Sequence, residues 1–131
     1  MSQSPPKEDL HADLTERILA AAFEVHTALG PGLLESAYET CLAHELTQQG
    51  FIIQRQVELP IRYRDQIVDA GYRLDLLVQD SVIIELKAVD KLLPIHEAQL
   101  LTYLKLSGKR VGLLLNFNAI HLRDGIKRRV R

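Results

Sequence analysis

Asp75, Glu85 and Lys87 are charged residues inside runs that otherwise read as buried, in the stretch YRLDLLVQDSVIIELKAV from Tyr72 to Val89. Taking a charge out of water is costly unless the charge is paired or holds a metal, so the three need a chemical reason to be there. Strand side chains alternate between faces, so Glu85 and Lys87 share one face while Ile84, Leu86 and Ala88 take the other. If Val78 and Val82 close a hairpin around Gln79-Asp80-Ser81, Asp75 stands directly opposite Glu85. A loop one residue shorter or longer turns Asp75 to the wrong face. Two carboxylates with Cβ atoms about 5 Å apart, beside an ammonium, suit Mg²⁺ or Mn²⁺, which takes oxygen ligands and leaves room for a phosphate oxygen. Such an ion polarises a phosphodiester and acidifies a bound water, and Lys87 can orient that water or neutralise developing charge. The competing reading is an internal carboxylate–lysine ion pair on a half-exposed sheet.

The flanking elements follow from period and punctuation. Asp13-Leu-Thr-Glu16 has the spacing of a capping box and opens a helix whose apolar stripe is Leu14, Ile18, Ala21, Ala22, Val25 and Leu29. Gly30-Pro31-Gly32 ends it, and a second helix runs from about Leu33 to Gln49. From Phe51 the pattern reads as strand: Phe51–Ile53, Val57–Leu59 and Ile61–Tyr63, with Pro60 marking an edge or bulge and Arg64-Asp65-Gln66 a reversal. The hairpin Tyr72–Val89 follows. Pro94 opens a third helix that ends at Ser107-Gly108, and Arg110–Phe117 suits a buried strand. Ile120–Arg131 reads as a basic β-ribbon turning at Asp124-Gly125. The order, roughly ααβββαβ, predicts an α/β (α+β) domain with a helical crossover between parallel strands.

The chain has 131 residues, 47% of them hydrophobic and 25% charged, which fits one globular domain at 13–131 behind a flexible terminus at 1–12. No apolar run reaches the ~20 residues of a membrane span, and the start lacks the plan of a signal peptide. The single cysteine, Cys41, excludes an internal disulfide and a Cys-based zinc site, so a cytoplasmic setting is expected. The net charge of −1 hides an asymmetry: residues 1–100 carry 8 Lys+Arg against 16 Asp+Glu, and residues 101–131 carry 8 against Asp124 alone. Attraction to phosphate depends on where charge sits, so Lys105, Lys109, Arg110, Arg123, Lys127, Arg128, Arg129 and Arg131 can track a nucleic-acid backbone. The opposing reading is a solvated surface whose charges segregate. Aromatics, at 5%, give no evident platform for stacking single-stranded bases.

Asp75, Glu85-Leu86-Lys87 and a following helix with Gln99 resemble the PD-(D/E)xK nuclease superfamily, with Leu74 where the nominal Pro would stand. Gly32, Glu35 and Tyr38 match the GxxExxY pattern of one family within it, and the similarity runs in ordered blocks from about His26 to DGIKRRV. The resemblance implies a restriction-endonuclease-like core, a mixed sheet flanked by helices. It makes Asp75, Glu85 and Glu35 the acids for Mg²⁺ or Mn²⁺, Lys87 the catalytic lysine and Gln99 a further catalytic polar residue, with Tyr103 one turn on. It also implies hydrolysis, DNA as the expected polymer, leaving a 5′-phosphate. His26 either approaches the metal cleft or caps locally. Tyr38 either orients Glu35 or packs on the sheet, and Arg73 either meets the scissile phosphate or neutralises the acids. A homodimer would suit a duplex. The alternative function is a non-catalytic nucleic-acid-binding module, or a regulatory subunit of a processing complex, that keeps the fold.

Overall fold

A computed structural model of the chain describes residues 10–131. The element order is α1 (Ala12–Leu29), α2 (Glu35–Gln48), β1 (Ile53–Glu58), β2 (Ile61–Tyr63), β3 (Gln66–Val68), β4 (Arg73–Val78), β5 (Val82–Lys87), α3 (Pro94–Ser107), β6 (Val111–Asn116) and β7 (Ile126–Val130). Five strands form one sheet in the order β1-β4-β5-β6-β7. Only β5 and β6 run parallel, joined by α3, as the expected crossover requires. The mixed sheet flanked by helices is the architecture expected for a restriction-endonuclease-like core.

Alternation along the strands builds two cores. Leu76, Val78, Val82, Ile84, Leu86, Val111, Leu113 and Leu115 pack beneath α1 and α2, against Ile18, Ala22, Tyr38 and Leu42. Leu77, Ile83 and Leu114 turn the other way, to Leu100, Tyr103 and Leu104 of α3. Buried on both faces, β4–β6 therefore read as near-continuous apolar runs.

Four local expectations are corrected. No side chain caps α1: the helix starts at Ala12 after His11, which takes a left-handed φ of 55°, and Asp13 lies inside the first turn. There its charge still complements the helix dipole. The second helix starts at Glu35 because Leu34 stays extended. The apparent pair of strands from Phe51 to Leu59 is one strand, and Arg64-Asp65 turns a separate β2–β3 hairpin, which lengthens the expected ααβββαβ order. The C-terminal basic ribbon is instead one edge strand of the main sheet, antiparallel to β6 after a 3₁₀ turn at Leu122–Gly125. Ile126 and Val130 pack on the core below α1 and α2, so alternation, not a free-standing hairpin, sets that segment. Residues 1–9 of the expected flexible terminus lie outside the described residues.

Candidate active site

The β4–β5 hairpin has the anticipated register: Val78, Leu77 and Leu76 pair with Val82, Ile83 and Ile84 around Gln79-Asp80-Ser81. Gln79 and Asp80 both take positive φ, the geometry of a primed turn. The ladder ends at Leu76–Ile84, one step short of Asp75 and Glu85. Beyond it side chains take the place of the rungs. The Asp75 N–H donates to Glu85 Oε1 at 3.3 Å, and the Leu86 N–H donates to Asp75 Oδ2 at 2.8 Å.

On the other side of β4 the ladder with β1 is also interrupted. Arg55–Leu76 and Val57–Leu74 pair, but Gln56, at φ 50°, does not pair with Asp75 between them. Before this point Ile53 and Val78 pack below α1 and α2; after it Val57 and Leu74 pack with the α3 cluster. Both strands turn over at Gln56 and Asp75, and Asp75 thereby meets groups from both layers of the domain.

On the α3 side, Glu85 is 5% exposed. Burial, and next the Asp75 carboxylate, raise its pKa to about 9. Its acid form hydrogen-bonds the Asp75 side chain. Lys87 Nζ lies 3.3 Å from Gln99 Oε1, which fixes the ammonium at the open end of the hairpin. Tyr103, one turn beyond Gln99 on α3, is 7% exposed, and its ring meets that of Tyr72 at 6.0 Å. Burial first, then the charge of Glu85, raise the Tyr103 pKa, so its hydroxyl stays a donor.

On the α2 side lies a cleft of about 530 Å³, with Glu35, Ser36, Glu39, Gln56 and Asp75 on its walls. Glu35 opens α2 and accepts from the Ala88 N–H at 3.3 Å, which ties the helix to the end of β5. Glu39, one turn later, is 8% exposed. Arg55 grips its Oε2 through Nε and Nη2 at 3.1 and 2.9 Å, and Gln56 Nε2 donates to its Oε1 at 2.5 Å. The same Nε2 is 3.3 Å from Asp75 Oδ1. Sequence reasoning missed Glu39 and Gln56. The i, i+4 spacing of Glu39 from Glu35 was the only signal available.

Several anticipated residues sit elsewhere. His26 Nε2 is 2.7 Å from Ala119 O, with its ring tilted on Phe117, so it braces the β6–β7 connection. Tyr38 stacks on Phe117 at 4.7 Å, donates to Gly30 O and accepts from the Leu33 N–H. It fixes the loop that delivers Glu35 rather than the Glu35 carboxylate. Arg73 donates to Tyr72 O and lies 3.5 Å from Glu58. His96 Nδ1 accepts from the Leu93 N–H and caps α3. Asn116, 3% exposed, holds Val89 by both its N–H and C=O just beyond Lys87.

The basic residues do not gather at the cleft. Lys109 pairs with Asp80 of the hairpin turn, at the opposite end of β4 and β5 from Asp75 and Lys87. Arg110 and Arg131 meet at that same end of β6 and β7. Within β7, Arg128 bonds Leu10 O on the α1 side, while Arg129 pairs with Glu97 of α3 and Lys127 shares the α3 face. Lys105 and Arg123 are exposed.

Asp75 and Glu85 supply oxygen donors alone, and a dication would offset the cost of a buried Glu85 charge beside Asp75, so the pair fits a hard divalent cation. Among the described residues, no three Asp, Glu, His or Cys side chains form one group able to hold an ion. No helix among them is long and apolar enough to cross a membrane. No curated protein and no solved structure gives a significant match to the chain. A family model described as PD-(D/E)XK nuclease superfamily matches residues 12–129, which span α1 through all but the end of β7 and include Glu35, Asp75, Glu85, Lys87 and Gln99, and the chain belongs to that superfamily.

Proposed function

We propose that the protein is a nuclease dependent on Mg²⁺ or Mn²⁺ that hydrolyses phosphodiester bonds in DNA and leaves a 5′-phosphate. The observation that carries the reading is the joined Asp75–Glu85 carboxyl pair at the open end of a hairpin that also presents Lys87. Asp75 and Glu85 would hold the ion, with Glu35 as the additional acid from α2. When bound, the ion supplies charge neutralisation and a more acidic water. Lys87, steadied by Gln99, places its ammonium where charge builds on the phosphate or orients the attacking water. Tyr103 offers a hydroxyl donor on the same face. Gly32, Glu35 and Tyr38 support placement in the GxxExxY family, and a cytoplasmic location and a homodimer that presents two such centres to a duplex belong to the same proposal.

A non-catalytic nucleic-acid-binding module is the second reading. The lack of a three-ligand group among the described residues favours it. Purified protein with Mg²⁺ or Mn²⁺ is incubated with single-stranded, duplex and branched DNA and with RNA, beside Lys87→Ala and Glu85→Gln. Cleavage by the wild type, lowered at least about 100-fold in both variants, supports the enzyme. Cleavage that persists in both rejects it, and salt-sensitive binding without cleavage establishes the module.

A further inference from the structure

Gln56 combines three features that a strand residue does not normally share. Its φ of 50° lies in the left-handed region, which side-chain-bearing residues seldom adopt and which within a strand breaks the ladder. Its backbone is the one position between Arg55 and Val57 that does not pair with β4. Its side-chain amide then bridges two carboxylates, Glu39 Oε1 at 2.5 Å and Asp75 Oδ1 at 3.3 Å. A backbone held in an unfavourable region persists where its surroundings impose it, and such positions concentrate at functional sites.

Glu39 is the anchor of this arrangement. One of its oxygens is taken by Arg55 and the other by Gln56, so its carboxylate is held from both sides. Arg55 is fixed in turn by Thr40 Oγ1 at 2.9 Å. The chain Arg55–Glu39–Gln56 therefore ends on Asp75 Oδ1, while Leu86 N–H fixes Oδ2. We infer that Gln56, locked by Glu39 and Arg55, is a positioning residue that sets the Asp75 carboxylate for the divalent ion; this rests on the nuclease reading above.

The left-handed backbone and the amide can be separated experimentally. Gln56→Gly keeps a left-handed backbone without strain but removes the amide, and Gln56→Asn accepts the same backbone with a side chain one carbon shorter. Mn²⁺ binding is measured by calorimetry on the full chain, alongside thermal melts and cleavage with Mn²⁺. Both variants should melt at or above the wild-type temperature in EDTA while binding Mn²⁺ at least about tenfold more weakly, as loss of a partner that orients a ligand does elsewhere. Glu39→Gln should weaken Mn²⁺ binding in the same direction. Wild-type Mn²⁺ affinity in Gln56→Gly and Gln56→Asn overturns the inference and leaves the nuclease reading intact. A wild type that binds no Mn²⁺ overturns both.

Discussion

Glu85→Gln should make the metal-free protein more stable while removing its activity. Glu85 is buried against Asp75, and its carboxyl holds a proton up to pH about 9 in the folded chain, against 4.5 for an ordinary glutamate. Between those values the native state binds a proton that the unfolded state does not, so stability must fall as pH rises. The contribution is whole below about pH 4.5 and is lost progressively up to about 9. At about 1.4 kcal/mol per pH unit, keeping Glu85 protonated costs about 3 kcal/mol at pH 7 and less than about 1 kcal/mol at pH 5. Glutamine is the shape of the protonated acid, can donate to Asp75 as that acid does, and never ionises. For a domain of this size, a gain of about 3 kcal/mol corresponds to a melting temperature about 10 °C higher. The assay is a set of melts in EDTA at pH 5, 7 and 8.5 for both proteins. The difference should be small at pH 5 and widen steadily toward pH 8.5. A difference that does not depend on pH, or a variant less stable than wild type throughout, refutes the placement of Glu85 as a buried, protonated partner of Asp75.

Two further outcomes follow from neighbouring groups. Because Glu85 must give up its proton before its carboxylate can hold an ion, apparent Mg²⁺ affinity should rise about tenfold per pH unit from pH 6 to 8, with close to one proton released. Calorimetry in two buffers of different ionisation heat counts that proton, and a pH-independent affinity contradicts the account. Gly125→Ala should destabilise by about 1–3 kcal/mol and lower cleavage, because a Cβ there falls 2.7 Å from Asn116 O, and Asn116 holds the segment after Lys87. At Gly112 the nearest atoms to an added Cβ belong to the Leu100 side chain rather than to backbone, so melts should rank Gly112→Ala as the less harmful of the two, and the reverse order refutes the Asn116 O clash as the cause.

What could be read from the sequence was whatever local periodicity encodes. The hairpin register around Gln79-Asp80-Ser81 followed from parity, because only an odd loop brings two acids in buried runs together. Pro94 and Gly108 bounded α3 for reasons that act within one turn of helix. The failures have a different origin. Gln56 reads as a polar residue on a solvent-facing strand, and nothing in its neighbours announces a left-handed backbone that turns the strand over. Glu39 looks like a surface acid until β1 brings Arg55 against α2. The basic C-terminal residues cluster in sequence, but an edge strand sends them alternately to two faces, and Lys109 and Arg110 go to the far end of the sheet. His26 was open between the metal cleft and a local cap, and its partner Ala119 lies too far along the chain to be read from neighbouring residues.

The interrupted ladder also decides which variants can test this site. At the opening of the sheet three backbone N–H groups, those of Asp75, Leu86 and Ala88, donate to the carboxylates of Glu85, Asp75 and Glu35. The acids that would serve chemistry therefore also complete the sheet. Removing a side chain that accepts such a bond leaves a donor unsatisfied and costs about 1–3 kcal/mol where it is buried. Alanine at Asp75 or Glu85 thus removes a proposed ligand and a structural acceptor together, and lost activity would not separate them. Asparagine and glutamine keep an oxygen for the N–H but surrender the negative charge. Lys87 carries no such duty to the backbone: among the described residues its ammonium hydrogen-bonds the Gln99 side chain and no backbone group. Lys87→Ala should therefore melt close to wild type, and a loss of cleavage in that variant can be assigned to chemistry.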